Sequence, residues 1–235
     1  MSRRKKKAHQ IPILTLKIKE NELDEFIQTC KIKDTPAFSV LKQQFQQKRI
    51  DSIVCRGIGD SCSSIPARTQ VSFILSLAKA LKISQLSFFD PLSCSSCCQY
   101  LTSQGFKCLE TNTNGVFSFS EHTAYFMPHC PRFLYHNILI SNWSPKMMQN
   151  LCIVGNSFKD YSEKCRLFIQ NLRSAVEDLF DQGSIIETPL DFDNSEPFDS
   201  ISYMTCDLSK LPPECDIFWS PRELWDENTS QLQSN

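Results

Sequence analysis

The spacing of apolar residues along the chain changes near position 50. Before this point, apolar side chains recur at near-helical intervals in two stretches, 21–30 and 37–47. Pro36 suits the first turn of the second helix, because the N–H that proline lacks would have no helical partner there. The pattern predicts an N-terminal helical segment over residues 21–49.

After residue 50, short apolar runs alternate with longer stretches of helical periodicity. The predicted strands cover 50–55, 86–90, 106–110, 123–127 and 151–154, and the main helices cover 67–82, 133–140 and 162–180. The last of these is predicted as one long amphipathic helix. Strands that alternate with helices are typical of βαβ units. The sequence therefore predicts an α/β protein with a Rossmann-like, mostly parallel doubly wound sheet and helices on both faces.

The last part of the chain is acidic and its apolar runs are short. Residues 185–186, 201–203 and 217–219 are predicted as short irregular strands in acidic loops. We expect them to belong to one α/β domain over 50–225. Residues 226–235 are polar and are predicted to be a disordered tail.

Composition places the chain among ordinary globular proteins. Its 235 residues are 41% hydrophobic and 22% charged, and no apolar run approaches the about 18 residues of a membrane-spanning helix. Residues 1–20 are expected to be a basic flexible arm without the apolar stretch of a secretory signal. We therefore expect a cytoplasmic or nuclear protein that binds no membrane. Whether Arg3–Lys7 is a nuclear localisation signal or a solvated tail stays open.

Charge is distributed unevenly between the two ends of the chain. Residues 176–235 carry 2 Lys+Arg against 14 Asp+Glu, although the net charge of the whole chain is −1. This predicts that the acidic end docks on the more basic body. Basic residues beyond the first seven are scattered, which does not favour a nucleic-acid surface.

Twelve cysteines are spread along the chain, and we expect them to be reduced thiols buried as small hydrophobes. Cys94, Cys97 and Cys98 include a Cys-x-x-Cys spacing, but no second pair has zinc-finger spacing. On a helix these three would share one face. The sequence therefore predicts buried thiols and no metal site.

A ligand cleft is predicted where the strands end, because ligands of open parallel sheets bind beyond the carboxyl ends of the strands. Gly57 and Gly59 follow the first predicted strand, and Asp90 ends the second. The two glycines suit either a phosphate contact or a simple tight turn. Asp90 suits either a ribose contact or an Asp-Pro turn that caps a helix.

His129 and Cys130 follow the fourth predicted strand and carry the most specific candidate chemistry. Imidazole and thiolate are both axial ligands of haem iron, so a haem contact is one interpretation. A nucleophile–base pair is a second, although adjacent residues of an extended segment point apart. A buried turn with a hydrogen-bonded histidine is the third, and it is the one we favour.

Neutral polar residues complete the predicted cleft. They are Asn137, Asn142, Gly155, Asn156 and Ser157. Amides and hydroxyls suit recognition better than acid–base chemistry, because they do not titrate near neutral pH. The residues themselves do not support catalysis.

Taken in order, several segments resemble one protein family. They are Val54–Gly59, Ala67–Gln70, Phe89–Pro91, Met127–Pro131, Leu134–Asn137, Asn142-Trp143 and Val154–Phe158. Together they resemble the SRR-like family, named for reduced sensitivity to red light, over roughly residues 50–161. Arg56 departs from the smaller or aromatic residue that we expect there.

The resemblance implies a regulatory protein linked to circadian clock input and, in animal members, to haem biosynthesis. It implies protein partners and brings no settled enzymatic activity. Two function classes follow. The first is a regulatory protein whose Rossmann-like cleft binds a small molecule or haem, and the second is a cryptic nucleotide- or S-adenosylmethionine-dependent transferase that holds its cofactor with Gly57, Gly59 and Asp90.

Overall fold

The computed structural model describes residues 20–168, 173–193 and 196–227, and within them a single seven-stranded sheet. Its strands are β1 (Ser52–Arg56), β2 (Gln85–Phe89), β3 (Phe106–Cys108), β4 (Thr123–Met127), β5 (Cys152–Asn156), β6 (Ile185–Pro189) and β7 (Ile201–Cys206). Their order in the sheet is β3-β2-β1-β4-β5-β7-β6.

Eight α-helices lie in the described part of the chain. They are α1 (Glu20–Thr29), α2 (Pro36–Gln47), α3 (Ile65–Leu81), α4 (Ser95–Ser103), α5 (Arg132–Ile140), α6 (Pro145–Met148), α7 (Phe158–Phe168) and α8 (Ala175–Asp181). Short 3-10 turns follow at Lys31–Asp34, Glu196–Phe198, Leu208–Lys210 and Ile217–Trp219. Pro36 lies in the first turn of α2, as its position in the sequence predicts.

Five strands of the sheet run parallel, and the chain reverses only at one end. β1 pairs in parallel with both β2 and β4, β2 with β3, and β4 with β5. β7 lies antiparallel between β5 and β6. The predicted Rossmann-like, mostly parallel α/β fold is confirmed.

The central strands are buried on both faces, which explains why they read as continuous apolar runs. All five residues of β4 are buried. Ala124 and Phe126 pack with the side chains of α1–α4, whereas Tyr125 and Met127 pack with those of α5 and α8. Helices α1 and α2 contribute Leu23, Leu41 and Phe45 to the first of these cores, so the N-terminal helical segment and the sheet share one core.

The prediction of one long helix over 162–180 is wrong. α7 ends at Phe168, and α8 begins separately at Ala175. Ser174 starts α8 with a capping box, in which its hydroxyl accepts the Glu177 backbone N–H and the Glu177 carboxylate accepts the Ser174 backbone N–H at 2.6 Å. A serine followed three residues later by glutamate is the sequence signature of a helix start, and it overrides the continuous apolar periodicity.

The prediction of short irregular strands in the acidic part is confirmed as strands at two of its three places, but these strands are regular. Residues 185–186 and 201–203 lie in β6 and β7, which pair along five positions. Residues Ile217–Trp219 form a 3-10 turn, because the Asp216 carboxylate accepts the Phe218 N–H at 2.8 Å and starts the turn.

The acidic part docks on the body, partly through the expected charge pairs. Arg132 and Glu177 form a buried ion pair with an N–O distance of 2.6 Å, and the more exposed Arg173 pairs with Asp178 and Asp181. None of the described helices is long and apolar enough to cross a bilayer. The predicted basic arm lies almost wholly, and the predicted tail largely, outside the described residues.

Candidate functional site

The strand order places a crevice between β1 and β4. The chain leaves β1 toward β2 on one side, and β4 lies on the other, so this is the point where strand order switches and where ligands of such sheets bind. A pocket of about 210 Å³ lies at the carboxyl ends of these strands. Its walls include Arg56, Gly57, Phe89, Asp90, Phe117, Met127, His129, Cys130, Leu134 and Glu227.

The glycines after β1 are required by the backbone and by close contacts. Gly57 has a φ of +68°, and a Cβ at this position would lie 2.4 Å from Cys130 Sγ. Gly59 has a φ of +88°, and its N–H donates to Asp90 Oδ2 at 2.7 Å. Both glycines therefore shape the turn, and Gly57 also lets the loop after β4 approach β1.

Asp90 joins the ends of β1 and β2. While one carboxylate oxygen accepts the Gly59 N–H, the other accepts the Leu92 N–H at 2.7 Å. This is the turn expected of an Asp-Pro segment. Asp90 also lines the pocket, and each of its oxygens keeps a second lone pair. The turn is therefore present, but Cys94 rather than Asp90 caps α4, and a ribose contact at Asp90 stays a prediction.

Arg56 is a cationic group in the pocket wall. Its guanidinium lies between two aromatic rings, with Cζ 5.2 Å from the centroid of Phe89 and 5.0 Å from that of Phe117. Its Nε is buried and has no hydrogen-bond partner among the described residues. Burial lowers the pKa of this guanidinium, but arginine keeps its charge in proteins.

His129 and Cys130 point into different surroundings. His129 is exposed, adopts a φ of +55°, and its Nε2 lies 3.0 Å from the Pro197 carbonyl oxygen. Cys130 is buried, and its thiol lies 3.5 Å from the Arg56 carbonyl oxygen. Burial raises the pKa of the Cys130 thiol to about 12. The two side chains thus do not face one another, which disfavours a nucleophile–base pair.

The segment after β5 supports the loop that carries His129. Asn156 accepts the His129 N–H at 2.6 Å and donates to the Cys130 carbonyl oxygen at 3.2 Å. This bond explains how a non-glycine residue is held at positive φ. Ser157 caps α7 by accepting the Asp160 N–H at 3.0 Å. Gly155 leaves room for Tyr135, whose Oη would lie 2.5 Å from a Cβ there.

Asn137 and Asn142 hold loops rather than line the pocket. Asn142 accepts the Phe119 N–H at 2.6 Å and donates to the Phe117 carbonyl oxygen at 2.9 Å. Asn137 bonds to the backbone of Asn114 and to both the N–H and the carbonyl oxygen of Trp225. Since Phe117 and Asn114 lie in the pocket wall, both asparagines act on the pocket through the backbone.

The structure thus brings only part of the predicted cleft together. Gly57, Asp90, His129 and Cys130 lie in the pocket wall, and Gly59 lies beside it. Asn137, Asn142, Gly155, Asn156 and Ser157 lie outside the wall. Arg56 was missed as a pocket residue, although a cation placed directly at the end of a buried parallel strand is a signal that the sequence contains.

The groups of the pocket can bind better than they can react. The thiol of Cys130 is protonated at neutral pH, and burial also raises the pKa of the nearby Tyr161 to about 12. A cation between two rings, by contrast, is a ready partner for an anion or a planar group.

The sequence that builds this pocket matches a known protein family. Residues 5–225 match the SRR1 domain. The chain belongs to the SRR1 domain family. Its relatives include an SRR1-like protein of Drosophila melanogaster, 29% identical over 189 residues and 78% of this chain. Another is the Arabidopsis thaliana protein Sensitivity to Red Light Reduced 1, 31% identical over 114 residues and 48% of this chain.

The matches cover only part of these SRR1 relatives. The matched segments span 66% of the Drosophila protein and 42% of the Arabidopsis protein. Among solved structures, a proposed caffeoyl-CoA O-methyltransferase from Staphylococcus aureus aligns with 79% of this chain and 92% of its own, at 11% identity and a TM-score of 0.42. A likeness of this degree carries no inference about function.

Proposed function

We propose that this SRR1 domain protein is a regulatory protein that binds a compact anionic small molecule in the pocket between β1 and β4. Its membership in a family whose Arabidopsis relative is named for sensitivity to red light supports the regulatory part. The pocket supports the ligand part, since it lies at the switch point and combines apolar walls with a few polar groups.

Arg56 carries the proposal. A buried donor without a partner costs about 1–3 kcal/mol, so a folded chain gains when a ligand supplies the acceptor. Phe89 and Phe117 contact the guanidinium without accepting a hydrogen bond from its Nε, which stays available to a carboxylate or phosphate. Asp90 and Glu227 add acceptors to the same wall, which suit hydroxyl or amine groups of a ligand.

The size of the pocket limits what it holds. Its volume of about 210 Å³ lies below the roughly 300–1,000 Å³ of typical ligand sites. We therefore expect the anionic head of a small metabolite or nucleotide to occupy it. A haem contact through His129 and Cys130 is less well supported, because the two side chains diverge and the thiol is protonated.

The test is a thermal-shift and calorimetric titration of the full chain with inorganic phosphate, small dicarboxylates, mononucleotides, S-adenosylmethionine and haem. A ligand at 100 times its dissociation constant adds about 2.7 kcal/mol to stability. The deciding variant is Arg56→Met, which keeps the bulk of the side chain and removes its charge. Lys107→Met, at the exposed middle position of the edge strand β3, is the matched loss of a surface cation.

We expect one anionic compound to stabilise the wild type and Lys107→Met but not Arg56→Met. A compound that stabilises all three chains equally binds elsewhere and contradicts the proposal. So does a panel in which only haem binds, with a Soret shift that a His129→Ala Cys130→Ala double variant abolishes.

The pathway is part of the proposal. We propose that ligand occupancy is read by protein partners in the cytoplasm or nucleus, in the clock-input and haem-biosynthesis settings that the family resemblance implies. Affinity capture with wild type and Arg56→Met would test this, since a partner that reads the ligand should distinguish the two chains.

A nucleotide- or S-adenosylmethionine-dependent transferase is the second candidate. The observation in its favour is Asp90, whose carboxylate ends β2 and contacts the glycine loop, where such sheets hold a ribose. Asp90→Asn separates the candidates. It would abolish S-adenosylmethionine or nucleoside binding, whereas binding of a simple phosphate or carboxylate would depend on Arg56 and survive.

A further inference from the structure

Next to the pocket, three potential metal ligands from two separate loops come together. Asp60 and Cys62 lie in the loop between β1 and α3, and Cys94 is the residue that caps α4. One ligand atom from each, a carboxylate oxygen and two Sγ atoms, all lie within 4.8 Å of one another. Asp60 and Cys94 are 34 residues apart in the chain, so no short spacing motif announces the cluster.

We propose that Asp60, Cys62 and Cys94 bind one zinc-class divalent cation, with two thiolates and one carboxylate as protein ligands. Mixed thiolate and carboxylate donors in a tetrahedral arrangement suit Zn²⁺ and its substitutes Co²⁺ and Cd²⁺. Three protein ligands leave the fourth position for water. On binding, each thiol forms a bond to the metal and releases its proton to solvent.

One of the three distances already fits such a site. Zn–S bonds of about 2.3 Å and Zn–O bonds of about 2.1 Å at tetrahedral angles place sulfur and oxygen about 3.6 Å apart. The Cys94 Sγ and Asp60 Oδ1 atoms are 3.6 Å apart. The three ligand atoms all lie within 4.8 Å of one another, so side-chain adjustments alone can close the cluster around an ion.

A second layer of contacts fixes the three ligands. Cys97 donates its N–H to Cys94 Sγ at 3.4 Å, at the start of a nine-residue helix, where the dipole favours a thiolate. Ser63 Oγ donates to Asp60 Oδ2 at 3.1 Å. The Arg68 guanidinium binds the carbonyl oxygens of Ser61 and Cys62 at 2.8 and 2.9 Å, which holds the loop. Such outer contacts tune and orient metal ligands.

Access agrees with this assignment. A bound divalent cation would be held by the Asp60 carboxylate and by the two thiolates that form on binding. Cys62 is buried, whereas Asp60 and Cys94 are partly exposed, so an ion can enter from solvent.

The ion would join the glycine loop to α4 beside the pocket wall. Ser93 already bonds the Gly59 carbonyl oxygen at 3.2 Å, and Asp90 bonds the Gly59 N–H. A metal that bridges the two loops would therefore fix the geometry of Asp90. We expect the melting temperature of the chain to rise with zinc concentration, as linkage requires.

The experiment is an anaerobic titration of the reduced, metal-free full chain with Co²⁺ as the spectroscopic probe, followed by Zn²⁺. We expect one equivalent of Co²⁺ to produce a thiolate-to-cobalt charge-transfer band that Zn²⁺ removes. Cys62→Ser and Cys94→Ser should lower the affinity by at least the about 10–100-fold that even outer contacts contribute. Cys30→Ser and Cys215→Ser remove thiols outside the cluster and should leave the band unchanged.

Asp60→Asn keeps the shape of the side chain and decides the question if a serine variant does not fold. It should weaken Co²⁺ binding while circular dichroism stays unchanged. The proposal is overturned if the reduced chain gives no thiolate band, or if the band persists in both Cys62→Ser and Cys94→Ser. A Cys62–Cys94 disulfide in air, without metal binding after reduction, would instead assign the pair to redox chemistry.

Discussion

Two sides of the pocket differ in how far their polar groups are already satisfied. The β1–β2 side comprises residues 56–64 and 89–98, and the β4–β5 side comprises 127–137 and 155–161. On the β4–β5 side, the Tyr135 hydroxyl donates to the Met127 carbonyl oxygen and accepts the Asn156 N–H at 3.0 Å. Asn156 in turn donates to Tyr161 Oη at 2.7 Å. The result is a closed network that ties the ends of β4 and β5 together.

The β1–β2 side keeps unused bonding capacity. Arg56 Nε is buried without a described partner, and Asp60, Cys62 and Cys94 form a cluster of potential anions. Unsatisfied buried groups are costly, so they persist where a ligand or ion repays the cost. The comparison teaches that the family-like segments Met127–Pro131 and Val154–Phe158 build a hydrogen-bonded frame, whereas the proposed ligand and metal contacts lie on the other side.

The largest expected effect is on the frame, through the buried ion pair that starts α5. Arg132→Met leaves the Glu177 carboxylate buried without its cation, since Arg132 Nε and Nη2 lie 2.7 and 2.6 Å from Glu177 Oε1. Removing one partner of such a pair costs about 3–5 kcal/mol. We expect urea unfolding, followed by circular dichroism, to show a loss of this size.

Arg173→Met is the matched control for that measurement. Arg173 pairs with Asp178 and Asp181, but its side chain is 41% exposed. Exposed pairs contribute about 0–1 kcal/mol, so this variant should lose less than about 1 kcal/mol. Equal losses of unfolding free energy in the two variants would show that the burial of the Arg132–Glu177 pair does not add to its contribution.

The second largest expected effect on stability comes from the contact between Gly155 of β5 and Tyr135 of α5. Gly155→Ala would place a Cβ 2.5 Å from Tyr135 Oη and 3.1 Å from the Met127 carbonyl oxygen. Overpacking of this kind costs about 1–3 kcal/mol. Tyr135→Phe removes the clashing oxygen, so the double variant should lose less stability than the sum of the single variants. Additive losses in urea unfolding would contradict a direct clash.

The sequence predicts the strands better than the groups that meet at their ends. β4 lies at the predicted residues 123–127, because a short, mostly apolar run with two aromatic residues that is ended by Pro128 favours a buried strand over a helix. Helix breaks and edge strands were harder to predict. The break before α8 depends on one capping serine, and the last two strands are regular because β7 pairs with β5 on one side and with β6 on the other.

The pocket was only partly predictable for a related reason. Gly57 and Asp90 follow strands directly, so the position of the strand ends places them at the switch point. Asn142 was also predicted as a cleft residue. It instead follows α5, where its side chain binds the loop that carries Phe117. The thiol cluster depends on two loops that only the tertiary fold brings together, so no spacing could show it.

A smaller effect distinguishes the two sides by thiol reactivity. Burial and, to a smaller extent, the Asp90 charge raise the pKa of Cys130 to about 12, although the Arg56 charge offsets part of this rise. The thiolate fraction therefore grows only as pH approaches 12. Between pH 7 and 10, mass spectrometry should find exposed Cys215 alkylated by iodoacetamide and Cys130 unmodified until urea is added.

Rapid alkylation of Cys130 in the folded protein would contradict the contrast between the two sides of the pocket, because it would show that the β4–β5 side also has an available thiol. The haem contact at His129 and Cys130 would then gain support. The Arg56→Met variant serves as an internal check, since removal of the cation should make the Cys130 thiol still harder to deprotonate.

The smallest expected effect is a pH dependence of stability at His136, which contacts residues 223–225 near the end of the described chain. His136 Nδ1 accepts the Ala175 N–H at 3.0 Å, Nε2 lies 2.9 Å from the Glu223 carbonyl oxygen, and the ring stacks on Trp225. Burial lowers the pKa of His136, and the nearby Arg222 and Arg132 add to this, whereas Glu223 and Glu177 oppose it.

Because the folded pKa lies below that of the unfolded chain, the unfolded state binds the proton first as pH falls below about 6.5. Stability should therefore rise with pH through this window and be lost toward acid. In His136→Gln, which does not titrate, the dependence of urea stability on pH between 5.5 and 7.5 should be shallower than in the wild type. The exposed His122→Gln variant should keep the wild-type slope. If the His136→Gln variant also has the wild-type slope, His136 is not the group that makes this contact sensitive to acid.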